Sequence, residues 1–492
     1  MYYKTKPYEY QDNAAVMAIR ILREHSFLAL FGEVGTGKTK IIIDSFINQR
    51  DVLNHMVVVC PKSLFGTWEK EIARHSDVHG FNVIRWDNIK KIKSTAASIE
   101  TMLSRSGYIF IINIESFQFA NTIIDKLMFD LSAKPSLLVL DESVKIQTPS
   151  AIRTKNAIKY ASQFFQKVIM TGTDISSGPQ ALYSQFMFLK KSFWKDNYIQ
   201  NFTAFKHTFC LSKKVFIQGG REIEAVKRLD EMSQVERIIQ NTKLERLNKI
   251  IAPTTIRILR KDCLDLPEQI NIDLIVELSK EEIAAYNSMK KLCIAEIEGE
   301  MHEAINAISV FSKLRQITSG HIGGQQVNGR PTKLSMLLDD IEDTSENIII
   351  ICYFQPDVEV VTTALQDKYG AENAKSYYGL NNDKTNNEAK DAFEQGNLRF
   401  LVASHGMIAQ GHNLQEHCSL MYIYSVDLNS ETNAQFKGRI DRNGQKNRPV
   451  FKYLLAKDTI DIQIHDMIEQ KMNLQSVFSN MGKNELLKMI RR

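Results

Sequence analysis

The stretch FLALFGEVGTGKTKIIID, residues 27–44, decides the fold of the first part of the chain. Its apolar start predicts a buried strand, a loop with three glycines follows, and a helical pattern comes next. A loop of this kind lets backbone N–H groups surround phosphate oxygens, with Lys38 reaching the terminal phosphates and Thr39 offering its hydroxyl to Mg²⁺. The other predicted phosphate contacts are Gly35, Thr36 and Gly37.

Two adjacent acids end another apolar run, SLLVLDES, residues 136–143. An acid at the carboxyl end of a buried strand is suited to hold Mg²⁺, directly or through water, which is the role predicted for Asp141. The neighbouring Glu142 is then suited to orient or deprotonate an attacking water. Acids often follow buried strands only to begin a solvated loop, but the phosphate-binding loop upstream favours the chemical interpretation.

Two arginines stand far downstream in QFKGRIDRNGQ, residues 435–445. Arg439 and Arg442 are three residues apart, so we expect them on one face of a helix. Arginines supplied by a second lobe are suited to neutralise charge on a γ-phosphate during hydrolysis. A solvated basic helix face is the alternative. It is less favoured because the first part of the chain offers no arginine of its own for this role.

Apolar runs typical of parallel-sheet strands occur in two separate regions. They predict an α/β fold with two tandem parallel-sheet lobes and a helical insertion between them. The runs of the first region are FLALF (27–31), HMVVVC (55–60), YIFIIN (108–113), SLLVLD (136–141) and KVIM (167–170), and those of the second are NIIIICYF (347–354), RFLVAS (399–404), LMYIY (420–424) and VFKYLLA (450–456). The expected domains are 1–185 (lobe 1), 186–332 (helical insertion and linker), 333–460 (lobe 2) and 461–492 (a C-terminal helical brace).

The composition is that of an ordinary soluble protein. The 492 residues carry a net charge of +5 and 43% hydrophobic side chains, which agrees with a polyanionic partner without establishing one. The six cysteines form no CxxC pair, which argues against a zinc site and a disulfide framework. No segment resembles a signal peptide or a membrane span, so we expect a cytoplasmic protein with no membrane partner.

A third loop, in VVVCPKSLFGTWEKEI (57–72), joins an apolar run to a helical pattern. Pro61, Lys62 and Ser63 lie at the start of that helix, where side chains and backbone amides are suitable donors for nucleic-acid phosphates. Trp68 follows on the helix. We interpret it as a packing residue rather than as a platform on which bases stack.

These motifs, in this order, resemble the superfamily 2 helicase-like ATPases, and within them the Snf2 group of double-stranded DNA translocases. The resemblance covers nearly the whole chain and implies two RecA-like lobes. PYEYQ (7–11) is similar to the motif that reads adenine, with Gln11 as the contact. The DNA-facing positions implied are Pro61, Lys62, Ser63, Thr171 in TGT (171–173), Ser404 and Asn413, and Gly411 is implied at the nucleotide.

Three stretches resemble the Snf2 group in particular: TIRILRKDCLDLPEQINIDLIVELSKEEIAAY (255–286), KLRQITSGHI (313–322) and GRIDRNGQ (438–445). The chain departs from the family in DESV (141–144), where DEAH or a close variant is usual, but both acids remain. Met407, Ile408 and Ala409 replace the usual glycine pair before Gly411. The short insertions resemble a minimal motor of bacterial or bacteriophage type.

The resemblance implies an enzyme that hydrolyses ATP with Mg²⁺ and moves on double-stranded or branched DNA. Branch migration, fork remodelling or strand unwinding is the next alternative. An RNA helicase shares the two-lobe plan, but the stretches of Snf2 type argue against it. A nucleotide switch without catalytic activity is a further alternative, disfavoured because both acids and both arginines are present. The sequence indicates no particular protein partner.

Overall fold

The chain folds into two compact units, Met1–Leu264 and Asp265–Arg492. The computed structural model describes residues 1–76, 82–86, 107–119, 122–172, 178–217, 221–227, 232–263, 267–299, 307–327, 329–408, 414–442, 444–469 and 483–491. Each unit is an α/β structure with a parallel main sheet, so the predicted fold class is confirmed.

The main sheet of the first unit has, among the described residues, seven strands in the order β3-β4-β2-β5-β6-β1-β9. All of its paired strands run parallel. A two-stranded antiparallel hairpin, β7–β8, lies outside this sheet. The strands are β1 (Phe27–Gly32), β2 (His55–Cys60), β3 (Asn82–Trp86), β4 (Tyr108–Asn113), β5 (Ser136–Asp141), β6 (Gln166–Thr171), β7 (Ser212–Ile217), β8 (Arg221–Val226) and β9 (Thr255–Ile258).

The apolar runs form central strands because both faces of the sheet are covered. In β2, Val57 and Val59 pack into one hydrophobic core, whereas Met56 and Val58 pack into another. Side chains alternate between the two faces of a strand, so a continuous apolar run is what a sheet covered on both sides requires. The helices of this unit are α1 (Glu9–His25), α2 (Lys38–Ile47), α3 (Phe65–His75), α4 (Thr122–Ser132), α5 (Ile152–Ala161), α6 (Leu182–Leu189), α7 (Phe193–Asp196), α8 (Phe202–Phe209), α9 (Gln234–Ile251) and α10 (Arg260–Cys263).

The main sheet of the second unit has, in the described part of the chain, six parallel strands in the order β10-β17-β16-β13-β15-β14. The strands are β10 (Ile270–Val276), β11 (His321–Ile322) and β12 (Gln325–Gln326), which form a small separate hairpin, β13 (Ile348–Cys352), β14 (Ala374–Tyr377), β15 (Phe400–Ser404), β16 (Leu420–Ile423) and β17 (Val450–Ala456). The helices are α11 (Lys280–Gly299), α12 (Ala307–Thr318), α13 (Thr332–Asp340), α14 (Gln355–Tyr369), α15 (Asp383–Glu394), α16 (His405–Ile408), α17 (Ser430–Lys437), α18 (Ile460–Glu469) and α19 (Lys483–Arg491).

The segment 186–332, expected as one helical insertion, is divided between the two units. Strand β9 pairs with β1 at the edge of the first sheet, and β10 pairs with β17 at the edge of the second. Edge strands of this kind are fixed by partners more than 170 residues away in the sequence, which local helical spacing cannot reveal. The division falls between Leu264 and Asp265.

A buried ion pair holds the beginning of the predicted C-terminal brace within the second unit. The carboxylate of Asp461, on α18, accepts a hydrogen bond from Lys333 Nζ at 2.5 Å and another from Thr318 Oγ1 at 2.9 Å. All three residues are buried. A buried pair is retained only when further hydrogen bonds satisfy its charges, and the threonine supplies one of them.

None of the six cysteines forms a disulfide, and five of them are buried. Burial raises the pKa of the Cys60 thiol well above its usual value. A thiol held protonated in this way is a poor nucleophile, so Cys60 acts as a small packing residue. Among the described residues, none of the helices is long and apolar enough to cross a membrane.

Candidate active site

The phosphate-binding loop of the first unit follows the carboxyl end of β1 and leads directly into α2. Gly37 precedes the helix in the left-handed region, with a φ of 78°, which a residue with a side chain rarely adopts. Lys38 begins the helix, and its Nζ donates a hydrogen bond to the carbonyl oxygen of Gly32 at 2.6 Å. The amine of Lys38 therefore lies over the loop, at the positively polarised end of α2.

The first helix, α1, braces this loop. Tyr10 donates its hydroxyl hydrogen bond to the carbonyl oxygen of Thr36 at 3.2 Å. The amide of buried Gln11 lies so close to Gly37 that a Cβ atom there would stand 2.3 Å from Gln11 Nε2. The lack of a side chain at Gly37 thus serves both the backbone turn and the approach of Gln11. The predicted nucleotide contact of Gln11 stays a prediction, but its amide adjoins the predicted phosphate loop.

The two acids lie at the carboxyl end of β5. Asp141 Oδ2 accepts a hydrogen bond from Trp68 Nε1, and its Oδ1 accepts one from the backbone N–H of Glu142, both at 3.0 Å. Burial first, and the neighbouring Glu142 carboxylate second, raise the pKa of Asp141 to about 6, whereas Lys38 and the Trp68 hydrogen bond act to lower it. Asp141 is 7% exposed, which is why desolvation dominates.

The residues at this edge fit a magnesium ion. Glu142 adopts a left-handed backbone conformation, with a φ of 56°, and one of its carboxylate oxygens, Oε2, is buried without a hydrogen-bond partner among the described residues. A buried carboxylate oxygen of this kind requires a donor, such as a water bound to a metal. Asp141, with the half-buried hydroxyl residue Thr39 across the edge, supplies the oxygen ligands that Mg²⁺ prefers.

The ionisation of Asp141 gives a prediction about stability. The pKa of Asp141 is raised from 3.8 to about 6 in the folded chain. Above pH 6, ionisation of Asp141 therefore lowers the free energy of unfolding by about 3 kcal/mol, since one pKa unit corresponds to about 1.4 kcal/mol. We expect the free energy of unfolding of Asp141→Asn, relative to that of the wild type, to rise by about 2–3 kcal/mol between pH 4 and pH 7.5. The amide has a single oxygen, so the variant also loses one of the two hydrogen bonds that the carboxylate accepts, at both pH values alike. Urea titrations of the protein without nucleotide measure this.

The surface residue Asp51, which pairs with Arg23, provides the control for this prediction. Asp51→Asn is expected to change the unfolding free energy by less than about 0.5 kcal/mol at either pH. A stability difference between Asp141→Asn and the wild type that stays the same from pH 4 to pH 7.5 would contradict the raised pKa of Asp141.

Strand order brings the other predicted residues of the first unit to the same sheet edge. The carboxyl ends of β2, β5, β6 and β1 are neighbours in that order. Pro61, Lys62 and Ser63 follow β2, with the side chains of Lys62 and Ser63 exposed. Thr171 ends β6, is buried, and pairs with Phe31 in the strand register. Thr173, the last residue of TGT, and residues 174–177 lie outside the described residues.

In the second unit, the expectation that Arg439 and Arg442 share a helical face is wrong. Helix α17 ends at Lys437, and both arginines lie in the turns that follow it. Gly438 is a poor helix former, and the buried Gln445 side chain donates to the carbonyl oxygens of Ile440 and Cys418 at 3.0 and 2.8 Å. This segment is therefore held by turns and a side-chain anchor. Arg439 is buried and Arg442 is half-buried.

Ser404, a predicted DNA contact, ends β15 and is half-buried. The next residue, His405, stacks on Tyr353 with ring centroids 4.7 Å apart, and its Nε2 lies 3.3 Å from Asp427 Oδ2. These contacts hold the start of α16, directly after Ser404. Gly411 and Asn413, the other residues predicted here, lie outside the described residues.

Two contacts at the site were missed from the sequence. The hydroxyl of Tyr10 supports the phosphate loop, and the indole N–H of Trp68 binds the carboxylate of Asp141. Trp68 is a core residue, as expected, but its N–H has a partner at the site. Both contacts could have been anticipated, because each comes from an aromatic residue with a polar group inside a motif named above. Such polar groups usually have a hydrogen-bond partner when they are buried.

Comparison with known families identifies the two parts of the chain. The SNF2-related domain family matches residues 10–321, and the helicase conserved C-terminal domain family matches residues 332–444. The first match alone covers more than half of the chain. It includes the phosphate loop and both acids, and the second match includes both arginines.

Individual proteins show more distant likeness. An uncharacterized ATP-dependent helicase of Mycoplasma genitalium is 23% identical over 491 residues, covering 96% of this chain and 43% of that protein. The putative protein p41 of Acyrthosiphon pisum secondary endosymbiont phage 1 is 24% identical over 237 residues, covering 46% of this chain and 49% of that protein. The solved structure of the Sulfolobus solfataricus SWI2/SNF2 ATPase core in complex with dsDNA is 17% identical, with a TM-score of 0.42, and 99% of this chain and 97% of that chain are covered.

The chain spans less than half the length of the two curated relatives named above. The predicted Snf2 resemblance is confirmed by the two family matches, which together run from residue 10 to residue 444 with a break at 322–331. The chain belongs to the SNF2-related domain family and carries, after that domain, the conserved C-terminal domain of helicases.

Proposed function

We propose that this chain is an ATP-driven motor that hydrolyses ATP with Mg²⁺ and moves on double-stranded or branched DNA. The observation that carries the proposal is the common sheet edge of the first unit. There Lys38, the pair Asp141 and Glu142, and the exposed loop 61–63 follow neighbouring parallel strands. The groups to which we assign phosphate binding, water activation and polyanion binding thus follow strands of one sheet within one compact unit of an SNF2-related chain.

The proposed roles follow from the contacts of each side chain. Lys38 binds the terminal phosphates, and its ammonium stays fixed over the loop by the carbonyl oxygen of Gly32. Thr39 and Asp141 hold Mg²⁺, which when bound neutralises phosphate charge. Glu142 orients the attacking water through its buried carboxylate oxygen. We also assign Gln11 to the adenine, because its amide lies beside the phosphate loop.

We assign the remaining predicted residues to hydrolysis and to DNA. Arg439 and Arg442, supplied by the second unit, neutralise charge on the γ-phosphate as hydrolysis proceeds. Binding to DNA is dominated by phosphate contacts and is therefore salt-dependent. The assigned DNA contacts are Pro61, Lys62, Ser63, Thr171, Ser404 and Asn413, and Gly411 is assigned to the nucleotide.

Branch migration or strand separation is the second candidate, because the relatives named above include an ATP-dependent helicase. An RNA helicase and a nucleotide switch without turnover are less favoured, since residues 10–321 match the SNF2-related family and both acids occupy the site. We propose the cytoplasm of a bacterial or phage-infected cell as the compartment. No disulfide joins any of the six cysteines, which agrees with a compartment that keeps thiols reduced.

Parallel ATPase and displacement assays test the proposal. ATP hydrolysis is measured with plain duplex DNA, forks, Holliday junctions, single strands and RNA, and release of a third strand from a DNA triplex reports movement without unwinding. We expect duplex DNA to stimulate hydrolysis and the third strand to be released. Release of a duplex strand from forks or junctions favours the second candidate. Stimulation by RNA but not by DNA would overturn the proposal, as would the absence of turnover with every nucleic acid.

A further inference from the structure

Trp68 connects two parts of the proposed active site that perform different tasks. It lies on α3, is 1% exposed, and donates its indole N–H to Asp141 Oδ2 at 3.0 Å. The other carboxylate oxygen of Asp141 accepts the backbone N–H of Glu142. Each oxygen of the carboxylate thus has one donor, and the two donors together fix the plane of the group. Of the two, only the Trp68 donor comes from a different element.

That element begins at the exposed loop. Strand β2 ends at Cys60, the loop 61–63 follows, and α3 starts at Phe65. A hydrogen bond of 2.9 Å from Leu64 N to Pro61 O closes the loop directly onto the helix. The chain therefore passes from the exposed side chains of the loop to Trp68 without a flexible linker.

The sheet provides a second connection between the same two places. Val59, at the end of β2, pairs with Leu140, the residue before Asp141. Loop and carboxylate consequently leave adjacent parallel strands, and Trp68 bridges them on one face. The ring of Trp68 packs in the hydrophobic core on that face, which includes Val58 and Val139 from the same two strands. A rigid, well-packed helix transmits a small displacement rather than absorbing it.

We propose that Trp68 is a positioning residue that couples the phosphate-facing loop at residues 61–63 to the carboxylate of Asp141. A polyanion bound at the loop shifts the start of α3, and the indole N–H then redirects the carboxylate toward the geometry in which it serves Mg²⁺. The inference rests on the proposed function, because it assumes that the loop contacts DNA and that Asp141 serves the metal. A bulky core residue without this coupling is the alternative.

A matched pair of tryptophans separates the two interpretations. Trp68→Phe keeps an aromatic ring in the core and removes the N–H donor. Trp194 is the control, since it is also buried in the first unit and donates its N–H to a backbone oxygen, that of Tyr183 on α6, at 2.8 Å. Both variants lose one buried hydrogen bond, so a purely structural effect should be similar in the two.

The first measurement is ADP affinity as a function of Mg²⁺ concentration, by calorimetry and without turnover. We expect Trp68→Phe to weaken the Mg²⁺-dependent part of ADP binding about tenfold, as the loss of a hydrogen bond to a charged group implies. We expect Trp194→Phe to bind as the wild type does. In steady state, we expect Trp68→Phe to lose most of the stimulation of kcat by duplex DNA, with KM for ATP changed by less than about threefold. Equal behaviour of the two variants would overturn the proposal.

A spectroscopic measurement keeps the test decisive if Trp68→Phe folds poorly. In the double variant Trp86→Phe/Trp194→Phe, Trp68 is the single tryptophan of the chain. We expect its emission to change when duplex DNA is added at saturating Mg²⁺ and ADP. An unchanged emission with DNA demonstrably bound would contradict the coupling. If duplex DNA does not stimulate ATP hydrolysis by the wild type, the proposed function is overturned instead. The Mg²⁺ dependence of ADP binding still shows in that case whether Trp68 positions Asp141.

Discussion

Replacing Lys38 with alanine is expected to lower the rate of ATP hydrolysis by about 10²–10³-fold, with or without DNA. The ammonium of Lys38 lies at the start of α2, hydrogen-bonded to Gly32 O, at the position that we propose for the terminal phosphates. Removing it leaves the developing charge on the phosphates without its closest fixed cation in the loop. The measurement is steady-state turnover at saturating Mg²⁺ and ATP.

The Lys38→Ala variant should remain folded, since Lys38 is only half-buried. Lys195→Ala serves as the control, because Lys195 is an exposed lysine of the same unit away from the sheet edge. We expect the control to hydrolyse ATP at the wild-type rate. We expect the free energy of unfolding of both variants to lie within about 0.5 kcal/mol of the wild-type value. An active Lys38→Ala variant would show that the loop is not the catalytic phosphate site.

Replacing Arg442 with alanine is expected to lower kcat by about 10³-fold while ATP binding stays within about threefold of the wild type. A residue that acts only on the charge that develops during hydrolysis affects turnover and not ground-state binding. Arg442 is half-buried in the turn after α17 and its backbone oxygen accepts from Gln445 N, so the backbone position does not depend on the side chain. Single-turnover hydrolysis and equilibrium binding of ATP measure the two quantities.

Arg448→Ala is the matched control for this prediction. Arg448 lies six residues further along the chain and is exposed. Its replacement by alanine changes the net charge by the same amount as Arg442→Ala but alters a different part of the segment. We expect it to leave kcat unchanged and to weaken salt-sensitive DNA binding at most slightly. Loss of ATP affinity in Arg442→Ala that equals its loss of turnover would assign Arg442 to binding.

The local parts of this structure were predictable because their signals are local. Four predicted strands, 55–60, 108–113, 136–141 and 450–456, have the observed bounds, since long apolar runs in a sheet covered on both faces have few alternatives. The position of Lys38 at a helix start and of Asp141 at a strand end followed from strand–loop–helix patterns of the same kind.

Features that depend on distant partners were not predictable. Strands β9 and β10 lie in a helix-rich segment, and each pairs with a distant strand at the edge of a sheet. Helix α17 ends before Arg439 although the spacing of the arginines suggested a helix. Gln445, by hydrogen-bonding to Cys418 O far upstream, stabilises turns there instead.

The hydrogen bond between Trp68 and Asp141 illustrates the same limit at the site. The two residues are 73 positions apart in the sequence. They meet because β2, which leads to the helix of Trp68, pairs with β5, which ends at Asp141. The sequence indicated an aromatic residue with a polar group and a buried acid, but not that one would bind the other. The raised pKa of Asp141, caused mainly by burial, is likewise a property of the packed sheet edge.

The most direct test of the central claim is the rate of ATP hydrolysis by the wild-type chain at saturating Mg²⁺ and ATP, with and without linear duplex DNA, with Lys38→Ala as the blank. We predict turnover that rises at least about tenfold on addition of duplex DNA, falls as salt increases, and is about 10²–10³-fold lower in the blank. Turnover that is the same with and without DNA, or that persists in Lys38→Ala, would contradict the claim that this chain is a DNA-dependent motor.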